Sequence, residues 1–220
     1  MSSDATRWCV TGSGKWKEER GYQTEALALL SEHDRSIIVA PPGSGKSYIG
    51  IKASLNAGFR ILMITWSAEA CLQLKADIVE NTNVDASFVR IFNSKRRDDP
   101  FRGAGILIIT YWLIAMKDFK RAADTNRIFD FINRTKFHAV FMDEMHCAEA
   151  KCVRPNLQRI IMSAHKVIAM TATLIREGHG GPNEEEKIEE LFSWVAPLRY
   201  KIPWKTLEND GYIAKLNIAE

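Results

Sequence analysis

A chain of 220 residues with 46% hydrophobic content carries enough apolar mass for one sizeable core, so a single α/β domain is the economical reading. Four scattered cysteines, Cys9, Cys71, Cys147 and Cys152, make no disulfide framework, and no secretory apolar core or 18-residue apolar span occurs, which argues for a soluble intracellular protein with no membrane partner. The formal net charge of +3 neither demands nor forbids a polyanionic partner, so any nucleic-acid contact must come from local patches. Lys95-Arg96-Arg97 and Lys117 with Lys120-Arg121 are candidates, although each alone reads equally well as solvated surface charge.

Residues 1–17 read as a flexible N-terminal extension. Within it, Thr11-Gly12-Ser13-Gly14-Lys15 imitates a phosphate loop, but no strand precedes it and Trp16 stands where a metal-binding hydroxyl is needed. Apolar runs rich in β-branched residues then recur at 36–40, 60–65, 87–91, 106–110, 139–142 and 167–170. Helix-like stretches at 23–31, 47–56, 68–80, 126–133 and 153–162 separate them. Runs that are apolar at nearly every position suit strands covered on both sides, so the pattern predicts a mostly parallel β-sheet flanked by helices on both faces. Residues 92–104 and 178–183 read as loops, 184–194 as an amphipathic helix, and 212–218 as a strand-like alternation that runs into the terminus as if cut at a domain border.

The most specific local signal is Ala40-Pro41-Pro42-Gly43-Ser44-Gly45-Lys46-Ser47, between the apolar Ile37-Ile38-Val39 and the helix-like run from Tyr48. Glycines at 43 and 45 allow positive φ, so successive backbone N–H groups can face a phosphate at a helix N-terminus. Lys46 is then placed for the β- and γ-phosphates and Ser47 for Mg²⁺. Hydrolysis needs more, and the segment Ala139-Val140-Phe141-Met142-Asp143-Glu144-Met145-His146 supplies it. An apolar strand delivers Asp143 to hold the metal and Glu144 to polarise the attacking water, with His146 placed to sense the γ-phosphate. Thr171-Ala172-Thr173 follows another strand and is placed to touch the acids. Zinc at His146, Cys147 and Cys152 is improbable, because no second Cys/His pair completes four ligands.

Cradle, Asp-Glu-x-His and Thr-Ala-Thr in this order resemble the first motor lobe of superfamily 2 helicases. Tyr22-Gln23 resembles the Q motif that reads adenine, with Arg20 as a helper, and the resemblance extends the nucleotide contacts to Pro42, Gly43, Ser44, Gly45, Lys46, Ser47 and Tyr48. Thr65 through Gln73 is similar to motif Ia, with Thr65-Trp66-Ser67 in place of the usual Pro-Thr, and Thr110-Tyr111-Trp112-Leu113 to the Thr-Tyr element of motif Ic. Residues 170–177 and the tail at 204–215 resemble the XPB branch. The resemblance covers about residues 18–220 and implies a RecA-like P-loop NTPase lobe using ATP and Mg²⁺. It implies nucleic-acid or coupling roles for Thr65, Ser67, Gln73, Thr110, Tyr111, Thr171, Thr173 and Arg176, through sequence-independent phosphate contacts.

That family comprises DNA-dependent ATPases and 3′→5′ helicases or duplex translocases of transcription initiation and nucleotide excision repair. The implied partners are DNA, a second RecA-like lobe in cis and subunits of a transcription or repair complex, in the nucleus of a eukaryote or otherwise in a cytoplasmic or viral setting. Three departures stand out. Arg176-Glu177-Gly178 lacks the last acid of the Arg-Glu-Asp element, which bears on strand separation rather than translocation. The sequence is read as holding neither the N-terminal damage-recognition region nor the second lobe whose arginines stabilise the transferring phosphoryl group, so this lobe by itself is expected to be weakly active. Another superfamily 2 motor, such as a restriction-type translocase or a viral branch-processing helicase, and a single-lobed ATP-switch module remain alternative readings.

Overall fold

Among the described residues, six strands form where the apolar runs predict them, and a seventh is added at an edge. In the computed structural model, residues 7–11, 18–93, 95–115, 123–150, 152–172, 193–202 and 204–212 are described. The strands are β1 (Arg35–Val39), β2 (Arg60–Thr65), β3 (Val89–Phe92), β4 (Gly105–Thr110), β5 (Ala139–Met142), β6 (Lys166–Thr171) and β7 (Leu198–Lys201). Their order is β3-β4-β2-β5-β6-β1-β7, and every pairing is parallel. All strand C-termini therefore reach the same rim, where ligands bind in parallel α/β sheets.

Alternate residues of β1 to β6 enter separate cores. On β2, Ile61 and Met63 join one cluster and Leu62 and Ile64 the other. The first cluster is covered by α1 (Gly21–Glu32), α2 (Lys46–Ala57) and α3 (Ala68–Asn81), through Leu30, Ile49, Leu74 and Ile78. The second is covered by α4 (Tyr111–Ala115), α5 (Ala123–Arg134) and α6 (Arg154–Met162), through Ile114, Ile132 and Leu157. A short α7 (Trp204–Asn209) buries Leu207 in the first cluster. Gly50 brings α2 hard against β5: a Cβ there would stand 2.2 Å from the Phe141 ring. The helix that begins at the phosphate loop is thereby seated on the strand that delivers the acids.

Four differences from the sequence reading have physical causes. β7 escapes the apolar search because Leu198-Arg199-Tyr200-Lys201 alternates with charge, as an edge strand does. α7 is likewise unexpected, because six residues carry too little periodicity. The strand expected from 87 starts at Val89, since the Asp85 side chain accepts from Ser87 N at 2.8 Å and winds 86–88 into a 3-10 turn. Of the extension expected to be flexible, residues 7–11 instead pack on the lobe: Trp8 is buried edge-on to Phe59, and Val10 pairs with Thr82. The loop expected at 178–183 lies outside the described residues, as do 184–192 of the amphipathic helix and 213–218 of the tail strand. Among the described residues, no helix is long and apolar enough to cross a membrane.

Candidate functional site

The loop between β1 and α2 is held open by two left-handed glycines, Gly43 at φ 78° and Gly45 at φ 81°. The left-handed φ calls for glycine at 45, and a Cβ there would stand 2.5 Å from Gln23 Nε2 and displace the side chain that braces the loop. Gly45 is the N-cap of α2 and offers no side chain to the helix, which leaves its first-turn N–H groups aimed at an anion. Gln23 braces the loop from α1. Its Oε1 accepts from Arg20 N at 3.0 Å, its Nε2 donates to Ser44 O at 3.2 Å, and the Tyr22 hydroxyl donates to the same carbonyl at 2.9 Å.

An open cleft of about 420 Å³ lies over the loop, lined by Arg20, Gln23, Gly43, Gly45, Lys46, Ser47 and Tyr48, together with Glu18 and Asp77. Pro42 is exposed and Ser44 buried, and neither lines the cleft; both shape the loop's backbone. The Tyr48 hydroxyl donates to Glu19 at 2.5 Å, and Lys52 pairs with the same carboxylate. Burial alone would raise Glu19, but hydrogen bonds from Lys52, Tyr48 and Thr24 outweigh it and hold the carboxyl below its ordinary range. The Arg20 guanidinium donates to the Tyr22 hydroxyl at 2.7 Å and lies 4.1 Å over the ring of Tyr212.

β6 lies between β1 and β5, so Thr171 at its end stands between the phosphate loop and the acids. Lys46 Nζ donates to Ala40 O at 3.4 Å and lies 3.4 Å from Glu144 Oε1. His146 Nδ1 is 3.5 Å from Glu144 Oε2 and 3.1 Å from Thr171 Oγ1. Lys46, Glu144, His146 and Thr171 thus form one chain of contacts across three strand ends. Glu144 takes φ 49°, the only non-glycine positive φ among the described residues, a strained backbone of the kind concentrated at functional sites. Burial, then the neighbouring Glu144 charge, pushes the Asp143 carboxyl up to about 6 despite the countering Lys46 charge. Two adjacent acids, one of them desolvated, are the donor set a divalent cation relieves. With the glycine cradle, Lys46 and Ser47, these residues fit a magnesium-nucleoside triphosphate.

Farther along the rim, Thr65 and Thr110 are register partners on β2 and β4. Thr65 is buried with its hydroxyl unpartnered, and Thr110 Oγ1 accepts from Leu113 N at 3.3 Å. Ser67 caps α3, accepting from Ala70 N at 3.0 Å, and exposed Gln73 donates to Asp77 Oδ1 at 2.9 Å. Tyr111 is buried with its hydroxyl unpartnered. Desolvation, then the charges of Cys147, Asp143 and Glu144, holds that phenol well above its ordinary range. Thr173 and Arg176 lie outside the described residues. Sequence reasoning missed Glu19, Asp77 and Tyr212 around the cleft, and the exposed Trp66 and Trp112 on this edge. The one signal for the tryptophans is their place just beyond strand ends.

A family model described as "Type III restriction enzyme, res subunit" matches residues 17–176. The chain belongs to this family. It is 31% identical over 204 residues to the "General transcription and DNA repair factor IIH helicase/translocase subunit XPB" of Danio rerio, covering 91% of this chain and 25% of that protein. To the subunit of the same description from Encephalitozoon cuniculi it is 32% identical, with 91% and 29% covered. The chain therefore spans about a quarter of the length of these relatives. Among solved structures, the UvsW helicase of bacteriophage T4 superposes with TM-score 0.62 at 16% identity, covering 86% of this chain and 62% of that one. The Pyrococcus furiosus Hef helicase domain gives TM-score 0.63 at 18% identity, covering 88% and 39%. At such identities the structural likeness shows the fold alone, the RecA-like lobe expected from the sequence. The relatives match the XPB-type first-lobe resemblance seen in the motifs.

Proposed function

We propose that this chain is the ATP-binding lobe of a DNA helicase or duplex translocase working with a second RecA-like lobe in cis, in a role like that of XPB in transcription initiation or nucleotide excision repair. The observation that carries this reading is the contact chain from Lys46 through Glu144 and His146 to Thr171, which ties the phosphate loop to the strand-end loops. Bound ATP supplies the phosphoryl group whose hydrolysis drives the motor. Lys46 and the first-turn N–H groups of α2 hold its phosphates, Ser47 and Asp143 hold Mg²⁺, and Gln23 with Arg20 meets the base. Glu144 orients and deprotonates water. His146 reports that change to Thr171, and so to the loops that hold DNA phosphates.

The names of the relatives support this assignment, and so does the helicase company of the fold. Polarity 3′→5′ and a nuclear site of action in a eukaryote go with the same reading. The test is ATPase of a two-lobed protein carrying this lobe, with and without duplex DNA. Glu144→Gln is expected to keep nucleotide binding and lose DNA-stimulated turnover by at least about a hundredfold. Turnover unchanged in that variant contradicts the role of Glu144, and turnover indifferent to DNA contradicts the motor.

A further inference from the structure

Trp66 and Trp112 stand on neighbouring strand ends at the rim. Thr65 and Thr110 are register partners, Trp66 follows the first directly and Trp112 lies two residues beyond the second, inside α4. Chain geometry keeps their Cα atoms within about 16 Å of each other. Trp66 is 62% exposed and Trp112 is 74% exposed, although tryptophan is on average a well-buried residue. Among the described residues, neither indole stacks on another ring or donates a hydrogen bond.

Next outward in the sheet, β3 leads into a loop that carries Lys95, Arg96 and Arg97 with Asp98 and Asp99, before the chain returns to Gly105 at the opposite rim. Part of that charge is internally matched, Lys95 by Glu69 and Arg96 by Asp98. The rim from β3 to β2 thus presents three cations, two of them paired, followed by two open indoles, and cations with aromatic faces are the groups with which proteins track a single-stranded backbone and stack its bases.

We propose that Trp66 and Trp112 form a base-stacking platform for single-stranded DNA, so that this rim holds bases as well as phosphates. The proposal rests on the reading of this edge as the DNA track and adds a preference for unpaired strand, because a duplex keeps its base faces stacked on one another. Stacking is tolerant of sequence, since every base has a π-face. A motor lobe can therefore carry such a platform without becoming sequence-specific.

The test titrates the 220-residue chain with a labelled oligothymidylate and with an abasic deoxyribose-phosphate oligomer of equal length, at one salt concentration, reading anisotropy and indole quenching. The wild-type chain is expected to bind the base-bearing strand at least roughly tenfold tighter than the abasic one. Trp66→Ala and Trp112→Ala are each expected to weaken the base-bearing complex by roughly tenfold and leave the abasic complex unchanged, with Phe in place of Trp restoring part of the loss. Both side chains are exposed, so the variants should melt like the wild type. Equal affinity for the two oligomers, or Ala variants that bind oligothymidylate like the wild type, overturns the platform while the phosphate track stands. Failure to bind either oligomer overturns the track along with it. Self-association that the Ala variants abolish without altering oligothymidylate binding assigns the indoles to a protein contact instead.

Discussion

Along one rim of one sheet, the loops after β1, β5 and β6 hold their polar side chains against each other, whereas the loops after β2 and β4 keep theirs buried or on helix ends. Lys46, Glu144, His146 and Thr171 are linked from one to the next, and Gln23 braces the cradle from behind. Ser67 and Thr110 accept from helix backbone, Thr65 and Tyr111 bury unpartnered hydroxyls, and what meets solvent is indole. The half proposed to hold nucleotide is thus linked side chain to side chain within this one lobe. The half proposed to carry DNA offers buried hydroxyls, helix-start contacts and open rings.

The largest expected effect tests the half proposed to hold nucleotide. Lys46→Ala removes the cation at the cradle and should weaken nucleotide binding by roughly a hundredfold, as loss of charge-assisted phosphate contacts does. Isothermal titration with an ATP analogue checks it, and equal affinity in variant and wild type breaks the contrast between the two halves.

A second prediction concerns what bringing these groups together costs. Folding raises the Asp143 carboxyl from 3.8 to about 6, so between those pH values the folded chain binds more protons than the unfolded one. Metal-free stability should therefore fall as pH rises from 3.8 to about 6 and remain lowered above it. Asp143→Asn removes the unfavourable charge and is expected to be more stable at pH 7.5 by on the order of 2–3 kcal/mol, with no advantage below about pH 4. Urea unfolding in chelator at both pH values reads this directly. A variant no more stable than wild type at pH 7.5 would mean that the carboxylate is not strained by its surroundings.

The smallest effect sharpens the comparison by touching only the seating of the cradle helix. Gly50→Ala pushes a methyl into the Phe141 ring, and overpacking of this kind typically costs about 1–3 kcal/mol. Nucleotide affinity should fall with it, because α2 moves relative to the acid-bearing strand, while single-stranded DNA binding should not. Parallel losses of both would show that the two halves are not independent.

The geometry of the half proposed to hold nucleotide was legible because its signals are local: a glycine-spaced loop between an apolar run and a helix, and two acids at the end of another apolar run. The sheet was legible for the same reason wherever strands are covered on both faces. β7 was not, since its alternation with charge is that of an edge strand, and the burial of Trp8 depends on Phe59, far along the chain. The left-handed Glu144 was invisible too, because no propensity places a glutamate there. On the other half, Ser67 and Thr110, which the resemblance assigns to nucleic-acid contact, also accept from Ala70 N and Leu113 N at helix starts, a local role the motif reading did not foresee.

The most direct measurement is an anomalous-scattering map from crystals of the chain grown with a non-hydrolysable ATP analogue and Mn²⁺. One manganese peak is expected between Ser47 and Asp143, with the phosphates in the Gly43–Gly45 cradle against Lys46 and the γ-phosphate beside Glu144. A nucleotide seated elsewhere, or a metal held without Ser47 and Asp143, would contradict the proposed site.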